Sequence, residues 1–182
     1  YAGYDTEIEM TDEEWDVFID NLNQLMHTVG EHGLSTAVHP HWGMAIARQH
    51  QVERMLESCE AGVCLDTGHL YLAGCDPLDI ARLAGDRIDH VHLKDVDDAM
   101  AERVRSGELP FRKAVIDGMF KPLGVGGVDI SGVIRHLEGN GYRGWYVLEQ
   151  DCALEDDPEP GEGPRTDAEA SVEYLEALAA TL

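Results

Sequence analysis

An α/β protein with a parallel sheet and helical crossovers is the fold class this sequence predicts, on three observations. Four short apolar runs alternate with stretches of helical periodicity. Several of those stretches carry helix-start signals. Each apolar run ends in a side chain able to ligate a metal: His39, Asp66, His92 and Glu149. Parallel sheets gather their ligands at the carboxyl ends of their strands, so four such endings point to one shared mouth.

The first helix opens on a capping box, Thr11 with Glu14. Trp15, Phe18, Ile19, Leu22, Leu25, Met26 and Val29 follow at helical spacing and predict a core-facing stripe ending near Gly30 or Gly33. Residues 35–39 form a short strand that Pro40 stops. A helix with Val52, Met55 and Leu56 inward leads to the second strand, 62–66, which runs into Thr67-Gly68-His69. Asp76-Pro77 supplies an N-cap and a first-turn proline for a helix over 77–84. In the third strand, 88–94, Ile88, His90, His92 and Lys94 share one face and Asp89, Val91 and Leu93 the other.

A long excursion, 95–129, holds helices near 97–106 and 111–118 and a glycine loop at 124–127. That loop lacks the strand-then-helix setting of a phosphate cradle and reads as a plain turn. A helix over 131–139 and a fourth strand over 145–149 follow. The stretch 155–164 is an acidic surface loop, and Thr166 with Glu169 forms a second capping box for a last helix whose face includes Val172, Leu175 and Leu178. No internal repeat breaks the chain, so residues 1–182 read as a single domain.

The formal charge of -23, from 36 acids against 13 bases, opposes nucleic-acid and anionic-membrane partners, which need clustered Lys and Arg. No apolar run approaches the length of a membrane span. The four cysteines are scattered with no C-x-x-C pair, and no export-signal pattern is visible, so the expectation is a cytoplasmic protein with reduced thiols. Cys64 lies inside the second strand and reads as a small core residue.

Two imidazoles and two carboxylates suit Mn, Co, Fe(II) or Zn better than Mg. His39, Asp66, His92 and Glu149 are the candidate metal ligands. Glu149, His69, Lys94 and His41 are the candidate catalytic groups, able to move protons or orient a substrate. Lys94 stands out as one of three lysines, at a strand end beyond His92. His41 is equally readable as a solvent-facing loop residue, and His90 as a layer beneath the mouth. His27, His32, His50 and His136 fall on helices or their ends and are expected at the surface.

With those residues in hand, the chain resembles the sugar phosphate isomerase/epimerase family, the xylose isomerase-like (β/α)8 TIM barrels, and within it the inosose dehydratase-like branch. The resemblance rests on His39-Pro40-His41-x-Gly43, Leu65-Asp66-Thr67-Gly68-His69, His90-Val91-His92-Leu93-Lys94-Asp95, Pro122-Leu123-Gly124, and Gly141-Tyr142-Arg143-Gly144-Trp145 running on to Glu149-Gln150-Asp151. It implies a divalent metal held at Asp66, His92 and Glu149, with His39 where the epimerases place a glutamate, and a substrate contact at His69. That replacement points away from a two-glutamate epimerase and toward dehydration of a keto-polyol or keto-sugar through a metal-stabilised enediolate. The branch also tends to place Gly-Thr and a glutamate where this chain has Gly43-Met44 and Ala47.

Aldose–ketose isomerisation or epimerisation is the second expectation, and a non-catalytic metal- or sugar-binding fragment the third. Because the family barrel has eight strands and four are found, the chain is expected to be a C-terminal partial barrel of about four βα units. Its open edges would favour self-association into a homo-oligomer.

Overall fold

The computed structural model describes residues 5, 8–154, 156–159 and 161–182. Its elements, in chain order, begin with α1 (Asp12–Gly30), β1 (Ala37–Val38), α2 (Gln49–Ser58), β2 (Gly62–Asp66), α3 (Thr67–Leu72) and α4 (Pro77–Ala84). There follow β3 (Ile88–Leu93), β4 (Asp95–Val96), α5 (Asp98–Arg105), α6 (Phe111–Ile116), β5 (Phe120–Lys121), α7 (Ile130–Gly139), β6 (Tyr146–Leu148) and α8 (Pro164–Ala179).

The sheet is four-stranded and wholly parallel, in the order β1-β2-β3-β6. Cys64 pairs with His90 and Asp66 with His92, while His92 pairs with Val147. Strand alternation therefore puts Cys64, Asp66, His90, His92 and Val147 on one face and Val63, Leu65, Val91 and Leu93 on the other. The latter four are fully buried and belong to the apolar cluster that the helices cover. Burying each contributes about 1.5–3 kcal/mol, so this face fixes the register that carries the polar face to its mouth.

The four expected strands are all present; the second has the expected bounds and the other three are shorter than expected. The Thr11–Glu14 box forms as read, and Asp76 accepts from the Leu78 N–H at the start of α4. The α1 stripe is only partly core: Trp15 and Leu22 are buried, whereas Leu25 is exposed. Trp15 docks beneath the Arg54 guanidinium of α2. The second capping box does not form. Pro164 starts α8 behind Gly163, which places Thr166 inside the first turn, where its side chain caps nothing. Val172 of that helix is exposed, Leu175 half-buried and Leu178 buried. Of the loop 155–164, Glu155 and Pro160 lie outside the described residues, and its other members are mostly exposed.

Two features add to the sequence reading. The chain leaves β2 directly into the short helix α3. The excursion carries an antiparallel pair, β4 with β5, in which Asp95 faces Lys121 and Val96 faces Phe120. This pair brings the 124–128 turn back beside the end of β3. His27, His32 and His50 are exposed, as expected, and His136 is half-buried beside Asn140. Among the described residues, no helix is long and apolar enough to cross a membrane.

Candidate metal centre and its cleft

Asp66 closes β2 and caps α3 in one residue. Its Oδ1 accepts from the His69 N–H at 2.8 Å, satisfying an orphan donor of the helix start. That leaves Oδ2 as a meeting point: His39 Nε2 lies 3.2 Å away, Lys94 Nζ 3.4 Å and His92 Nδ1 3.5 Å. Burial opposes ionisation of this carboxyl, yet the neighbouring His39 and His92 rings hold it well below the usual carboxylate range.

His92, on the same face one strand over, sets Nδ1 3.3 Å from Glu149 Oε2 as well. Among the described residues, Nδ1 is buried yet has the alignment of a hydrogen bond to no partner. Asp66 raises the pKa of this ring against the opposing effect of burial, with Glu149 adding to the rise. Asp66, His92 and Glu149 each offer a donor atom within 4.8 Å of the other two. A buried nitrogen without a hydrogen bond, between two carboxylates, fits a divalent cation. His39 joins the cluster through its bond to Asp66 and through its ring, 4.9 Å from that of His92.

Among the described residues, Lys94 is the largest fully buried side chain. Its ammonium reaches Glu149 Oε2 at 2.8 Å, Asp151 Oδ2 at 2.9 Å and His69 Nε2 at 3.2 Å. Burial lowers its pKa, but Asp66, Asp151 and Glu149 outweigh burial and raise it, so it remains an ammonium. Two residues of the Asp-Thr-Gly-His motif position it. Thr67 Oγ1 accepts from the Lys94 N–H at 2.9 Å and donates to the Lys94 carbonyl at 2.7 Å. A Cβ on Gly68 would sit 2.6 Å from Lys94 Cγ, so only glycine lets the lysine stem pass.

Since the ammonium donates to His69 Nε2, the hydrogen of that neutral ring resides on Nδ1, which has no partner among the described residues. Burial keeps His69 well below its ordinary pKa. The His41 ring lies against it, centroids 3.5 Å apart, and His41 Nδ1 donates to the Trp42 carbonyl at 2.8 Å. Burial also lowers His41. Both imidazoles line a cleft of about 680 Å³ together with Phe111, Arg112, Asp151 and Cys152. His41 thus belongs to the site's walls rather than to a solvated loop, and His90 forms the layer below, its ring 5.1 Å from that of His92.

Sequence reasoning passed over four contributors. Asp151 shares Lys94 with Glu149. Thr67 holds the lysine backbone. Cys64, beneath the mouth, has its thiol pushed up to about 12, by burial first and then by Asp66 and Glu149. Asp95 is 1% exposed, and its carboxylate accepts from the N–H groups of Val96 and Val128 on one oxygen and of Gly124 and Gly126 on the other. The 124–127 turn is therefore organised around a buried acid rather than being plain.

A model of the xylose isomerase-like TIM barrel matches residues 1–178. The chain belongs to that family. It is 37% identical over 156 residues to an inosose dehydratase of Geobacillus thermodenitrificans, covering 83% of this chain and 52% of that protein. It is 35% identical over 170 residues to the rhizopine catabolism protein MocC of Rhizobium meliloti, covering 92% and 51%. The chain spans about half the length of the curated relatives it matches. Among solved structures, the probable 3-DHS dehydratase AsbF of Bacillus anthracis superposes with a TM-score of 0.69 at 16% identity, over 91% of this chain and 57% of that one. The IolI protein with a bound zinc atom superposes at 0.68 and 16% identity, over 97% and 60%. At those identities the two structures speak to the fold.

Proposed function

We propose that this chain carries the metal-binding half of a lyase that removes water from a keto-polyol or keto-sugar of the inosose type. The observation that carries the proposal is the convergence of Asp66, His92 and Glu149 on one point beside a buried ammonium, at the strand ends of a sheet whose family relatives include proteins named inosose dehydratase. Asp66, His92 and Glu149 would hold a divalent cation, with His39 as the fourth candidate ligand. Mn, Co, Fe(II) or Zn suits this donor set better than Mg. When bound, such a cation supplies Lewis acidity to a substrate oxygen.

The remaining chemistry belongs to the side chains. Dehydration takes a proton from the carbon next to the ketone and expels the hydroxyl one carbon further as water. Glu149 is the group that accepts or returns the carbon-bound proton. Lys94, fixed as a cation, stabilises negative charge on substrate oxygens and serves as no base. His69 presents its Nδ1–H as a neutral donor that orients an oxygen. The Nε2 of His41, whose Nδ1–H is spent on Trp42, is the acceptor side of the ring and a proton carrier for the departing hydroxyl.

Dehydration is favoured over epimerisation because His39 stands in place of the second carboxylate that a two-sided proton exchange needs. The reading also includes a closed barrel. Among the described residues, β1 and β6 are paired on one side only, and four further strands would complete the wall around the cleft. The substrate is a small polyol-derived ketone, and the acidic surface argues against nucleic acid.

The test is turnover of a keto-inositol with Mn or Co present, followed by the absorbance of the enone product. Asp66→Ala and Glu149→Gln are expected to lower kcat by at least about a thousandfold. Undiminished turnover by Asp66→Ala would refute the assignment.

A further inference from the structure

Beneath the rim cluster lies a second set of donors, which adds to His39 and His92 a cysteine that the proposed function does not use. His39, Cys64 and His92 each place a ligand atom within 4.8 Å of the other two. Cys64 is 5% exposed and shares its strand face with His92. Its thiol differs from the other buried thiols. Cys59 donates to the Met55 carbonyl at 3.5 Å and Cys75 to the Ala47 carbonyl at 3.7 Å, whereas Cys64 makes no hydrogen bond among the described residues. His92, the residue common to both clusters, likewise has its Nδ1 without one among the described residues.

We propose that His39, Cys64 and His92 form a distinct inner position for a thiophilic divalent ion of the zinc or cadmium class. The donor chemistry decides the ion. Two imidazoles and a thiolate make a soft, nitrogen- and sulfur-rich set, whereas Asp66, His92 and Glu149 make a harder, oxygen-rich one. Soft ions enter the inner position and form a metal–sulfur bond, the thiol proton leaving to solvent. Manganese and magnesium remain with the carboxylates. The centre thereby sorts ions by depth, and zinc or cadmium acts on it differently from manganese. The inner position shares two residues with the rim cluster but requires nothing of the proposed reaction.

The experiment titrates the full chain with cadmium in a Cys152→Ser background, which removes the exposed thiol, and reads ultraviolet sulfur-to-cadmium charge transfer. A band is expected that saturates at one bound ion. Cys64→Ser should abolish it and weaken cadmium binding by about tenfold or more, while manganese affinity changes by less than about threefold. Cys64→Ala serves as the second variant, with thermal melting as the check of folding. Cadmium-113 resonance of the parent protein gives a readout that needs no Cys64 substitution, because a thiolate ligand moves the signal out of the nitrogen–oxygen range. A parent that binds cadmium with neither the band nor the shifted signal overturns the inner site and leaves the rim site standing. A band that survives Cys64→Ser overturns it equally. Binding of no divalent ion at all overturns both.

Discussion

Asp95→Asn tests a buried carboxylate that organises a turn and stands outside the proposed metal cluster. In the native chain one carboxylate oxygen accepts from Val96 and Val128 and the other from Gly124 and Gly126, all between 2.9 and 3.0 Å. Asparagine keeps one acceptor oxygen, which satisfies the two amides on the more buried side. Its NH2 group must then face the N–H groups of Gly124 and Gly126, donor against donor. A buried donor stripped of its acceptor costs about 1–3 kcal/mol, and water reaching the exposed Gly124 recovers part of that. The expected loss is about 2–4 kcal/mol. Urea unfolding at constant m-value measures it, and amide hydrogen exchange should show Gly124 and Gly126 losing protection while β2 and β3 keep theirs. A loss below about 1 kcal/mol, or unchanged exchange at the two glycines, would refute the clamp.

Lys94→Met leaves Asp66, Glu149 and Asp151 without their internal cation and should destabilise the metal-free chain by about 3–5 kcal/mol. Added manganese should restore more stability to this variant than to the wild type, as read by melting temperature, because the freed carboxylates bind the ion in its place. Gly68→Ala drives a methyl into the Lys94 stem and should cost about 1–3 kcal/mol by urea unfolding, together with a weaker metal affinity from the displaced lysine. Tyr71 donates to Asp98, and that bond, with burial, raises the phenol to about 12. Because the folded pKa lies above the unfolded value of about 10, the contribution is complete below pH ~10 and disappears as pH rises through ~12. The stability gap between wild type and Tyr71→Phe, followed by urea midpoint, should therefore be constant at neutral pH and close toward pH ~12.

The strands and most helices were legible because they advertise themselves locally. Val63-Cys64-Leu65 and Val91-His92-Leu93 are apolar runs closed by turn residues, and Asp76-Pro77 is a helix start whatever surrounds it. β4 and β5 were not, since two-residue strands carry no period; the antiparallel pair exists because Asp95 draws the distant 124–128 turn onto itself. The helix α3 had a single local signal, Asp66 readable as the cap of a following helix. It is six residues long with a glycine in its first turn, and it persists because Asp66 caps it. The Thr166–Glu169 signature misled because Pro164, two residues earlier, fixes the first turn. At the candidate site, position at or just beyond a strand end marked Asp66, His92, Glu149, Lys94 and His69, and the structure brings these side chains together. Asp151, Thr67 and Cys64 matter through what touches them across strands, which no spacing along the chain records.

Anomalous diffraction from crystals soaked in manganese tests the central claim most directly. The account predicts one strong peak at ligand distance, about 2.0–2.4 Å, from a carboxylate oxygen of Asp66, a carboxylate oxygen of Glu149 and a ring nitrogen of His92, with Lys94 displaced from between the acids. A peak seated elsewhere, or none at saturating manganese, would contradict it.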